Sequence, residues 1–138
     1  MKILVPIPEL IYIMHIFNST LSFQTDIFNG SDFVYATMVS PFITGSNDIS
    51  NLKVIKIGKF CFLTGRIIFD EAPTVNAIIA KIPSEYSPPI HHRFQLVLYG
   101  TTYITIGINA NGDINYLGAN ISNPTGTTYG TAFWVCNN

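Results

Sequence analysis

Tyr103-Ile104-Thr105-Ile106-Gly107-Ile108-Asn109, followed by Ala110-Asn111-Gly112-Asp113 and then Ile114-Asn115-Tyr116, is the stretch from which the fold is read. Ile104, Ile106 and Ile108 alternate with Thr105, Gly107 and Asn109. That strict period of two places the apolar residues on one face of a half-buried strand. Asn111-Gly112 is a strong hairpin signal, because both central positions of a type I′ turn favour positive φ. The strand therefore returns antiparallel through Ile114 to Tyr116.

Moving outward, the same punctuation repeats. Gly100-Thr101-Thr102 turns the chain from an apolar run, Ile90 to Tyr99, into the Ile104 strand. Before it lies Ile82-Pro83-Ser84-Glu85-Tyr86-Ser87-Pro88-Pro89. Pro83 ends a strand over Ala77 to Ile82, since proline gives a ladder no donor. Further back, Lys53 to Ile57 and Phe60 to Phe69 read as strands joined at Gly58-Lys59. The second places Phe60 and Phe62 on one face and Cys61, Leu63, Ile67 and Phe69 on the other. Apolar residues on both faces mark a central sandwich strand or one at a subunit interface. Gly65 within it points to a bulge or a close backbone approach. Phe33 to Val39 is a further strand, Asn120 to Gly130 a polar loop, and Thr131 to Cys136 a last strand.

The sum is about seven to nine short strands with turn signals about 8–12 residues apart, and no long helix. This predicts an all-β chain, an antiparallel β-sandwich or jelly-roll-like head over residues 33–138. Residues 1–32 form an arm or linker, with a short apolar element at Leu10 to Phe17 that reads as helix or strand alike. Lys2 and the run after it have the outline of a signal peptide. Pro6, Pro8 and Glu9 interrupt it, however, and no small-x-small cleavage site follows. No segment reaches the roughly 18 apolar residues needed to span a bilayer.

Composition narrows the function classes. The 138 residues are 48% hydrophobic and only 11% charged, with net charge −1. Charged residues make up roughly 25% of an average globular domain, so Thr, Asn, Ser and Gly must cover the surface here. Such a surface suits a chain partly buried between subunits. Lys53, Lys56 and Lys59 lie close in sequence, but Lys56 alternates to the opposite strand face, so no basic footprint for nucleic acid forms. The two cysteines, Cys61 and Cys136, each sit in an apolar run. Two buried thiols are the favoured reading, with a disulfide between neighbouring strands as the alternative.

No constellation for covalent chemistry is visible. A nucleophile needs a histidine that a third group orients, and the three histidines are His15, His91 and His92. His91 and His92 are adjacent on a strand and point to opposite faces, which suits surface contacts better than one metal. Asp70, Glu71, Glu85 and Asp113 form no carboxylate pair of the kind that cleaves glycosides. No cofactor motif is present. Aromatics beside amides and hydroxyls remain: Tyr99, Tyr103, Tyr116, Tyr129 and Trp134, on whose rings the apolar face of a sugar packs.

Ile82-Pro83, then Glu85-Tyr86-x-Pro88, then strands carrying Ile104-x-Ile106 and a Gly112-x-Ile114 hairpin, resemble the C-terminal head domains of tailed-phage receptor-binding and baseplate proteins. Thr127-Thr128-Tyr129 running into Trp134 matches the closing strand of that family. The resemblance covers roughly Leu52 to Asn138. Ser87 departs from it, standing where arginine is usual. The resemblance implies a homotrimeric head on a virion, at the tail, baseplate or capsid surface, that adheres to host saccharide without cleaving it. Residues 1–30 would attach to other virion proteins, and no nucleic acid or membrane is involved. The ligand residues expected on this reading are His91, His92, Tyr99, Tyr103 and Trp134, with no catalytic, metal or cofactor residue. The alternatives are a capsid decoration or head-fibre protein without a ligand, and a secreted lectin-like module.

Overall fold

A computed structural model of the chain describes residues 32–46 and 50–136. The expected arm, with its element at Leu10 to Phe17, lies outside the described residues. From Phe33 onward the chain makes one compact unit. Its strands are β1 (Asp32–Tyr35), β2 (Thr37–Met38), β3 (Ile43–Thr44), β4 (Lys53–Ile57), β5 (Phe60–Thr64) and β6 (Ile67–Phe69), then β7 (Ile78–Lys81), β8 (His92–Tyr99), β9 (Thr102–Ile108), β10 (Asp113–Ala119), β11 (Gly126–Thr128) and β12 (Ala132–Val135). One 3-10 turn, Ser84–Tyr86, is the helical element among the described residues.

All described pairings are antiparallel, and they make three sheets in the orders β1-β4-β5-β12, β2-β7-β10-β9-β8 and β11-β6-β3. The alternation that predicts β9 is what builds the core. Ile104, Ile106 and Ile108 are fully buried, with Leu96, Ile114 and Tyr116 beside them from the flanking strands. Each such isoleucine contributes roughly 1.5–3 kcal/mol by leaving water. The four-stranded sheet supplies the opposite wall with Val54, Cys61, Leu63, Ala132 and Trp134. The two sheets meet where the His92 ring lies 6.2 Å from the Trp134 ring. This is the all-β sandwich that the periodicity predicts.

The outward face of the four-stranded sheet is also apolar. Phe60, Phe133 and Val135 stay about half exposed or more, at 47%, 65% and 51%. Phe62 pairs across to Phe133, with ring centroids 6.2 Å apart. Both faces of β5 are thus hydrophobic, as its residue order predicts.

The structure corrects several details. Cys61 and Cys136 are joined in a disulfide with Cα atoms 5.8 Å apart, not left as two thiols. Neither cysteine carries a local pairing signal. It is the β5–β12 ladder, extended by the Cys136 amide donating to the Lys59 carbonyl at 2.8 Å, that brings them together. The Asn111-Gly112 turn is not type I′, because Gly112 alone has positive φ, at 93°. Its amide donates to the Asn109 carbonyl at 2.9 Å, so Ala110 and Asn111 are the central residues and Gly112 follows in a left-handed conformation. The run from Phe60 to Phe69 is two strands, parted at Gly65. The stretch from Asn120 to Gly130 is not all loop, since Gly126–Thr128 pairs with β6 as β11. Thr128 is fully buried there, its hydroxyl 3.3 Å from the Ile67 amide and donating to the Ile67 carbonyl at 2.9 Å.

The proline loop is anchored by buried residues at its centre, Tyr86, Ser87 and Pro88. Tyr86 is buried, with the Lys56 ammonium 5.8 Å above its ring, and its carbonyl accepts the Trp134 indole N–H at 2.9 Å. Ser87 is fully buried, its hydroxyl 2.6 Å from the carbonyl oxygens of Ser84 and Ala110. That position tethers the loop to the β9–β10 turn. Arginine, usual there in the motif that the stretch resembles, would have to be accommodated in closed space.

Candidate functional site

Two chain lines pass from the four-stranded to the three-stranded sheet, and they pass side by side. β5 continues into β6 through Gly65-Arg66, and β12 is reached from β11 through Tyr129-Gly130-Thr131. On one side of this crossing Leu63 pairs with Ala132; on the other Ile67 pairs with Thr128. Three residues intervene on each line, so pairing resumes in the same register. Between those points Thr64 stands opposite Thr131, Gly65 opposite Gly130, and Arg66 opposite Tyr129, and none of the three is a ladder pair. The six residues, with Ser50, line an open cleft of about 330 Å³.

The ladder opens because each line takes another partner there. The Arg66 amide donates to the Ser50 carbonyl at 3.0 Å, and the Arg66 carbonyl accepts the Thr44 hydroxyl at 2.8 Å. On the opposite line Tyr129 exchanges both backbone bonds with Val97 of β8, each 2.8 Å. The glycines follow from crowding behind the cleft. A Cβ on Gly65 would run into the Asn51 carbonyl, and one on Gly130 would lie 2.8 Å from the Leu96 side chain. Both have positive φ, 115° and 151°. Among the described residues neither glycine makes a backbone hydrogen bond, so peptide groups without side chains face the opening.

Tyr129 is 51% exposed, and the Arg66 guanidinium sits 5.1 Å from its ring centroid. Among the described residues Arg66 makes no ion pair; the pair that forms, Lys81 with Asp113 at 3.6 Å, is on the β7–β10 ladder. The cleft therefore offers one cation, one aromatic ring, threonine hydroxyls and bare peptide groups. Among the described residues that line it there is no histidine, cysteine or carboxylate.

The five residues expected from sequence do not assemble into one cluster. Trp134 is 5% exposed, with its indole donor engaged by Tyr86. His92 is half-buried, its ring 6.2 Å from those of Phe94 and Trp134. His91 is exposed at the start of β8, and its imidazole stands over Gly107, where a Cβ would collide with it. Tyr99 is 58% exposed at the other end of that strand, beside the Gly100 turn. Tyr103 is half-buried on β9, opposite Val97. Val97 bridges in turn to Tyr129. Tyr103, Val97 and Tyr129 thus occupy facing positions across three neighbouring chain lines and project to one side. Tyr103 is the expected residue that shares a surface with the cleft. Arg66 has no sequence signal of its own; its place follows from the register across the crossing.

No family model matches the chain. No curated protein matches it either. Among solved structures, the receptor binding protein gp15 of a Listeria phage, PSA, matches with a TM-score of 0.60 at 14% sequence identity. The match covers 99% of this chain and 82% of that one. The likeness is one of fold.

Proposed function

We propose that this chain is the adhesion head of a tailed phage, a virion protein of the tail or baseplate that holds host-surface saccharide without cleaving it. The observation that carries the reading is the fold, shared along nearly its whole length with a phage receptor binding protein. The surface supports it. Exposed aromatics at Tyr99 and Tyr129 sit among threonines and amides, the chemistry that neutral and acidic sugars engage. Weak sites gain from repetition, and in this reading the head is a homotrimer. The exposed Phe60, Phe133 and Val135 supply an apolar sheet face for subunit contact. Residues 1–30 attach the head to other virion proteins.

The test uses the full chain, labelled and added to a panel of bacteria, together with its mass in solution by light scattering on a sizing column. A trimer that binds a subset of strains, and loses binding when periodate oxidises surface saccharide, is the expected result. Binding that survives periodate but not protease would point to a protein receptor. A stable trimer that binds no strain would favour a purely structural place in the particle. A monomer that binds immobilised glycans would favour a lectin-like module.

A further inference from the structure

We infer that the break in the ladder between Thr64–Arg66 and Tyr129–Thr131 is the ligand subsite of the head, and that it selects a saccharide bearing a negative charge, carboxylate or phosphoryl, over a neutral one. The inference rests on the adhesion reading and adds to it the place and the class of ligand. The cation comes first. Arg66 is exposed, forms no ion pair among the described residues, and has the Tyr129 ring beneath it at 5.1 Å. A guanidinium over a ring engages through its face and keeps its in-plane N–H fork for an oxyanion. No carboxylate is among the described residues that line the opening.

The floor comes second. Gly65 and Gly130 would be the middle pair of the interrupted ladder, yet neither makes a backbone hydrogen bond among the described residues. Their amides and carbonyls lack side chains to cover them. Alternating donors and acceptors of that kind match the hydroxyls of a sugar ring, which both give and accept. The frame comes third. Ser50 and Thr44 hold the Arg66 backbone and Val97 holds that of Tyr129, so the peptide frame is placed before the ligand arrives. Charge, peptide floor and ring converge within one opening of about 330 Å³, a volume at the lower end of ligand pockets.

The test is a titration of the full isotope-labelled chain, followed at its backbone amides by NMR. The probes are glucuronate, glucose 6-phosphate, glucose and inorganic phosphate. The Gly65 and Gly130 amides should shift with both charged sugars, and the apparent Kd for these should be roughly tenfold below that for glucose. Arg66→Gln should abolish the preference, bringing charged sugars and glucose to about the same Kd, with an unaltered melting temperature showing an intact fold. Four results would overturn the inference: equal affinity for charged and neutral sugars, shifts confined to other surfaces, no shift with any sugar, or inorganic phosphate binding as tightly as glucose 6-phosphate. The last would leave a simple anion site. Periodate-sensitive binding to cells without these shifts would leave the adhesion reading standing and move the subsite elsewhere. These shifts without any cell binding would keep the subsite and remove the adhesion reading.

Discussion

Removing the Cys61–Cys136 disulfide is expected to cost a large part of the stability of the head. The two residues are 75 apart in sequence, so the bond closes a long loop that includes most of the strands. In the chain-entropy account, a closed loop of that length constrains the unfolded chain by about 4.5 kcal/mol at 25 °C, against 2–4 kcal/mol typically measured. A head of about a hundred residues shifts its midpoint by roughly 4–5 °C per kcal/mol, so a loss of about 10–20 °C follows. The replacement has to separate the cross-link from the packing. Both cysteines are buried in the core cluster. The double variant Cys61→Ala with Cys136→Ala removes both, whereas reduction of the wild type removes only the bond. Thermal melts of oxidised, reduced and double-variant protein are the assay, with thiols counted in denaturant before and after reductant. The expected result is no free thiol before reductant, two after, and melting temperatures falling in the order oxidised, reduced, double variant. Two thiols titrating in denaturant without reductant would refute the bond. An oxidised form melting within about 2 °C of the reduced one would refute the loop argument.

Three further outcomes follow from the fold. Ser87→Ala should lower stability by about 1–2 kcal/mol, because its buried hydroxyl links two main-chain carbonyls, and Ser87→Arg should prevent folding; chemical denaturation of the first and solubility of the second are the readouts. Gly112→Ala should lose more than about 1 kcal/mol, since φ there is 93° and the new Cβ would run into the Ile82 carbonyl; the urea midpoint should fall with its slope unchanged. Burial raises the Tyr116 hydroxyl above its ordinary value of 10.0. Below that value both folded and unfolded chains hold a neutral phenol, and above it the unfolded chain ionises first, so stability should fall as pH climbs through the folded pKa. Urea midpoints measured across that alkaline range should decline more gently in Tyr116→Phe.

How much of this was legible in the residues depends on whether the signal was local. The β9 strand is legible because Ile104, Ile106 and Ile108 alternate with small or polar residues, and burial follows that alternation except at Gly107, which the His91 ring covers. β5 is legible for the same reason: Phe60 and Phe62 go outward, Cys61 and Leu63 inward. β11 is not, because Gly126-Thr127-Thr128 carries no apolar side chain and becomes a strand only through its pairing with β6. The candidate cleft is the extreme case. Arg66 and Tyr129 are 63 positions apart, and nothing near either announces the other. Their meeting is set by pairings on both sides of them, which periodicity cannot supply. Trp134 shows the converse limit: an aromatic in a strand reads the same whether it faces the core or a ligand.

The crossing of the two chain lines carries an evolutionary consequence. Pairing is in one register before the opening and in the same register after it, with equal lengths of chain on each side. One residue more or fewer in either line would turn Ile67 and Phe69, or Ala132 and Trp134, toward the opposite face and expel them from the core. Surface loops usually diversify by growing and shrinking; this opening cannot. On the adhesion reading, a change of preferred ligand here has to come from exchanging side chains at constant length, and related chains should align across both segments without a gap.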